Sequence, residues 1–82
     1  MHARSITLLS RIDEGKPVRW NEVISLLHAH GAEISGGSGA RVRVVLNGVR
    51  AVFHRPHPAP VTSRSMTRSI KRFLEEAGVL NR

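Results

Sequence analysis

The sequence predicts an α+β fold: a three-stranded antiparallel sheet with helices on one face, preceded by a short N-terminal helix. Three observations lead there. Asn47-Gly48 sits between two six-residue runs, Arg41–Leu46 and Val49–His54, and Asn-Gly between strand-like runs signals a two-residue hairpin loop, because both loop residues need positive φ. Apolar residues before and after this hairpin recur at helical spacing. The whole chain has only 82 residues, enough for one domain with a thin core.

Taken in order, Ile6, Leu9 and Ile12, with Leu8 beside them, predict a short amphipathic helix over 5–12. Asp13-Glu14-Gly15-Lys16-Pro17 reads as a turn or linker. Trp20, Val23, Ile24 and Leu27 lie at i, i+3, i+4 and i+7, one face of a second helix that Gly31 ends. His28 and His30 fall at or beyond the margin of that stripe and are read as solvated. Ala32-Glu33-Ile34 predicts a brief first strand, and Ser35-Gly36-Gly37-Ser38-Gly39 a flexible loop. That loop lacks the Lys-Ser/Thr ending of an ATPase phosphate loop.

The hairpin follows, and its turn fixes the pairing. Leu46 lies opposite Val49, Val44 opposite Ala51 and Val42 opposite Phe53, all on one apolar face. The other face pairs Arg41 with His54, Arg43 with Val52, and Val45 with Arg50. Next, Arg55-Pro56-His57-Pro58-Ala59-Pro60 predicts an extended connection leaving the sheet, since proline donates no ladder hydrogen bond. Ser63 or Ser65 caps a last helix, in which Met66, Ile70, Phe73, Leu74 and Ala77 form the apolar stripe and Gly78 the stop. Arg64, Arg68, Lys71 and Arg72 fall off that stripe and point to water.

Charge narrows the function. Thirteen Lys and Arg against six Asp and Glu give a formal net charge of +7. The excess is local: between Arg41 and Leu74 stand Arg41, Arg43, Arg50, Arg55, Arg64, Arg68, Lys71 and Arg72, with no acidic residue among them. Such a patch favours an anionic partner, above all nucleic acid, through phosphate contacts and counterion release. Arginine's planar fork suits bidentate phosphate contacts. Phe53 and Phe73 are assigned to the core and Trp20 to the second helix, which leaves no aromatic platform for stacking unpaired bases. Contacts with backbone and shape remain, as in small double-stranded-RNA-binding folds. The chain has no cysteine, which excludes disulfides and thiolate metal sites. No apolar run reaches the about 18 residues that span a bilayer, and no signal-peptide pattern opens the chain. A cytoplasmic protein without cofactor is the expectation.

Specific residues also resemble a known family. Trp20-x-Glu22-Val23-x-x-Leu26-Leu27-x-x-x-Gly31, the glycine-rich loop, the hairpin, Phe53-His54-Arg55-Pro56-His57-Pro58 and the closing Arg72-Phe73-Leu74-x-x-Ala77-Gly78 resemble the HicA family of bacterial toxins. The resemblance covers about residues 18–79, which divides the chain into an N-terminal helix and linker (1–17) and a HicA-like domain (18–82). It implies a fold like the double-stranded-RNA-binding domain, cleavage of mRNA, and neutralisation by a HicB-type antitoxin. The family carries its catalytic histidine in a Gly-Ser-His motif at the start of the second strand. Here Gly39-Ala40-Arg41 puts Arg41 at that place, and the alternative alignment, Gly37-Ser38-Gly39, puts glycine there.

The hairpin register offers a substitute. His54 faces Arg41 across the ribbon, an imidazole beside a guanidinium: a base type for proton abstraction next to a cation for phosphorane charge. His54 is therefore the expected general base, Arg41 and Arg43 the phosphate clamp, and His57 the candidate acid. A metal held by His54 and His57 lacks a carboxylate or third ligand. The other reading is a non-catalytic RNA-binding or protein-interaction module on the same fold.

Overall fold

The computed structural model describes residues 3–36 and 40–80, with the side chains of residues 7–36 and 40–80. The element order is α1 (Ala3–Asp13), α2 (Trp20–Ala29), β1 (Glu33–Gly36), β2 (Arg41–Leu46), β3 (Val49–His54) and α3 (Arg64–Glu76). The strands form one antiparallel sheet in the order β1-β2-β3, which is the expected α+β architecture with helices on one face. The first strand runs to Gly36, two residues beyond the predicted Ile34, because Ser35 and Gly36 pair with Arg43 and Val42. The rest of the predicted glycine loop, 37–39, lies outside the described residues, as does the Gly37-Ser38-Gly39 alignment.

The turn behaves as its composition requires. Asn47 and Gly48 adopt φ +50° and +80°, the pair of left-handed residues that matches the twist of two joined strands. The β2–β3 register is Leu46↔Val49 through Arg41↔His54 without slip. Burial then alternates along β2, with Val42, Val44 and Leu46 nearly inaccessible while Arg41 and Arg43 are exposed.

The three helices close in one way. Gly15, Gly31 and Gly78 take positive φ, and the amides of Gly31 and Ala32 bond the carbonyls of His28 and Leu27, as those of Gly78 and Val79 bond Glu75 and Leu74. This is the paired capping pattern that satisfies the last carbonyls of a helix. Of the two serines predicted to cap α3, Ser63 does so, its hydroxyl accepting from the Met66 amide at 3.1 Å. No side chain caps α2; the amide of Trp20 instead donates to Pro60 O at 2.9 Å.

The core joins all six elements. Val23 and Leu27 of α2, Val44 and Leu46 of β2, Ile70 and Leu74 of α3 and Ile12 of α1 are all at most 1% exposed. Phe53 and Phe73 meet edge-to-face with centroids 5.7 Å apart. The helix α1 packs on α3 and α2, burying Leu8 and Ile12. Between α1 and α2, Val18 meets the connection that leaves β3: its amide donates to Thr62 Oγ1 and its carbonyl accepts from the Thr62 amide. The Thr62 hydroxyl in turn bonds that of Thr67, 2.7 Å away. The proline-rich connection thus leaves the sheet as predicted, then is tied to the linker before α2.

Candidate nucleic-acid interface

Arg41 and His54 face each other at one end of the β2–β3 ribbon. The amide of Arg55 donates to Ala40 O at 2.8 Å. That bond brackets the pair and makes it a non-hydrogen-bonded one, the kind whose Cα atoms lie about 4.5 Å apart and whose side chains are closest. Alternation gives the same status to Arg43/Val52 and Val45/Arg50. Arg41, Arg43, Arg50, Val52 and His54 are all exposed, so the three arginines and the histidine stand on one side of the sheet, as the register predicts.

The first strand widens this face. Glu33 pairs with Val45 and Ser35 with Arg43, which puts Glu33 in line with Arg50 and Ser35 beside Arg43. Glu33 is the one carboxylate that the described part of the sheet brings to this side, and it forms no ion pair there. None of Arg41, Arg43, Arg50 and His54 has a side-chain hydrogen bond or ion pair among the described residues. The four groups remain open to a ligand.

The other predicted residues divide. His57 is exposed, three residues beyond the end of β3, and no pairing ties it to Arg41 or His54. Arg55 is exposed, and strand alternation turns it to the opposite side from His54. Arg64, Arg68 and Arg72 are exposed along α3, on the side of the helix turned from its buried Thr67, Ile70 and Leu74. Lys71 departs from the expectation of a solvated cation. Its ammonium donates to Asp13 O at 2.9 Å and lies 3.4 Å from the Asp13 carboxylate, so it clasps α3 to the end of α1. That role was invisible in the sequence because the two residues are 58 positions apart.

Arg72 has a different surrounding. With Arg50, Ala51, Phe53, Phe73 and Glu76 it lines a groove of about 220 Å³ between β3 and α3. The cationic surface therefore continues from the open sheet around the β3 edge to α3. Sequence reasoning missed this groove, although the alternation of β3 already placed Val52 and Arg50 on an edge strand's open side. Of the remaining histidines, His28 is exposed, and His30 is half-buried with Nδ1 2.9 Å from Leu26 O. Among the described residues no three His, Asp or Glu side chains gather as metal ligands, and no helix is long and apolar enough to cross a membrane.

Residues 20–79 match the model of a family described as the HicA toxin of bacterial toxin-antitoxin systems. Neither a curated protein nor a solved structure matches the chain. The match begins at Trp20, the first residue of α2, so α1 precedes it.

Proposed function

The chain belongs to the HicA toxin family, and from that premise we propose that it is an RNA-binding endoribonuclease that cleaves mRNA in the cytoplasm and is neutralised by a HicB-type antitoxin. The observation that carries this reading is the exposed Arg41–His54 pair on an uncovered cationic sheet face. In the reaction, the His54 imidazole takes the proton of a ribose 2′-hydroxyl, and the 2′-oxygen attacks the adjacent phosphorus. Arg41 and Arg43 stabilise the charge that develops on the non-bridging oxygens. The bond to the 5′-oxygen breaks, and the leaving oxygen takes up a proton from a general acid, the role open to the exposed His57 only if its connection carries it to the pair. A 2′,3′-cyclic phosphate and a 5′-hydroxyl result, with no metal or cofactor in any step. Arg50, Arg55, Arg64, Arg68, Lys71 and Arg72 are the further cations available to flanking phosphates, Lys71 only if it leaves Asp13.

One observation favours a second reading, a non-catalytic RNA-binding or protein-interaction module. No described residue hydrogen-bonds the His54 ring, whereas a catalytic base is commonly oriented by a third group. Purified wild type and His54→Ala, assayed on the same RNA and induced in a bacterial host, separate the two. The toxin reading expects wild-type cleavage and growth arrest, a loss of at least about 100-fold in the variant, and relief by the product of the neighbouring gene. Cleavage and toxicity undiminished in His54→Ala overturn the role given to this residue. RNA binding without cleavage by wild type supports the module.

A further inference from the structure

The free edge of β3 has the features of a docking site for another strand. In this ribbon Val49, Ala51 and Phe53 bond β2, so the amide and carbonyl groups of Arg50 and Val52 point the other way, off the sheet. Those outward groups take no hydrogen bond from any described residue. The strand is six residues long and contains no proline, whereas the opposite edge, β1, is four residues long and ends in Gly36. Val52 is 52% exposed, an apolar side chain left open beside these unpaired groups.

We infer that this edge accepts an extended acidic segment of a partner protein, added as a fourth strand. Strand addition draws affinity from main-chain hydrogen bonds and specificity from alternate side chains, and both halves of that pattern can be read here. On one side, an added strand's residues fall beside Arg50 and Val52. On the other, they enter the groove of about 220 Å³ lined by Ala51, Phe53 and Phe73 together with Ser69, Arg72 and Glu76. Arg50 and Arg72, both on this groove, make no ion pair with Glu76 or any other described carboxylate. The complementary segment therefore alternates acidic residues, beside Arg50 on the open face, with apolar ones that enter the groove beside Arg72. Docking of this kind does not depend on RNA cleavage. Its consequence for regulation does rest on the function proposed above: a seated acidic strand withholds Arg50 and Arg72 from RNA.

The test uses the full-length, isotope-labelled protein and a blocked eight-residue peptide alternating Glu and Val. Expected are saturable binding below about 1 mM, slowed hydrogen exchange at the Arg50 and Val52 amides, and no comparable effect from the corresponding Lys-Val peptide. Val52→Pro removes one outward donor without touching the β2 ladder and weakens peptide binding about tenfold. A double reversal, Arg50→Glu with Arg72→Glu, keeps the proposal testable should the proline variant fold poorly; it exchanges the preference from the Glu to the Lys peptide. Absence of binding, protection at Ile34 and Gly36 of β1 instead, or a preference unchanged by the double reversal overturns it. So does equal protection of the two amides by an RNA oligonucleotide, which would make the edge a nucleic-acid contact.

Discussion

The side-chain amide of Asn47 donates to the carbonyl of Ala77 at 2.7 Å. The residue that makes the hairpin turn also covers the end of α3, 30 positions away. Ala77 is the C-cap of that helix, where carbonyls lack intrahelical partners, so this one bond joins the strand register to the helix that packs beneath it. Asn47→Asp keeps a residue tolerant of positive φ but replaces the donor by a carboxylate facing a carbonyl. A loss of about 1–3 kcal/mol is expected, a fall in Tm of at least about 4 °C, measurable by thermal unfolding. Asn47→Gly keeps the turn and loses only the bond, and should cost less.

Thr62→Val should destabilise the protein by about 1–3 kcal/mol. The substitution keeps shape and removes the hydroxyl that accepts from the Val18 amide and bonds Thr67. Thr62 is 2% exposed, so the orphaned Val18 donor finds no water. Denaturant unfolding reads the loss, and stability equal to wild type would show that the two crossing segments are held by packing alone.

The salt dependence of RNA binding should distinguish the sheet's arginines from Lys71. Arg43→Ala and Arg50→Ala each remove an exposed cation with no internal partner, and each should lower the slope of log affinity against log salt by about 0.7–0.9 with little change in stability. Lys71→Met should do the reverse, leaving the slope and releasing α3 from Asp13. Filter binding at several salt concentrations with parallel melting curves provides both readouts.

Arg41 and His54 should act as a unit. Arg41→Ala is expected to lower the cleavage rate by about 10²–10³, the effect of losing a donor to developing charge. The double variant with His54→Ala should be scarcely slower than His54→Ala alone, since residues that serve one step are not additive. Single-turnover rates on one RNA measure this, and full additivity would separate the two residues.

Shortening Ile12 to Ala should cost about 2–5 kcal/mol, because its side chain is fully buried where α1 meets the helices of the family-matched region. A urea titration reads it. A cost within about 0.5 kcal/mol would instead make α1 a loosely held extension.

What the sequence determined by itself was local: the two-residue turn, the register that follows from it, the separation of apolar from cationic faces, a serine cap at one of two positions and the glycine stops. Each rests on neighbours within a few positions, where φ preference and a period of two or 3.6 leave little choice. The candidate pair Arg41 and His54 was legible for the same reason, since one tight turn sets every cross-strand partner. Tertiary structure alone decided that Asn47 reaches Ala77, that Thr62 satisfies Val18, that Lys71 holds Asp13 rather than facing water, and that Arg50 and Arg72 share a groove. These meetings depend on how separate elements settle against one core. No pattern along the chain encodes which donor will find which distant carbonyl, because packing selects it only after the elements exist.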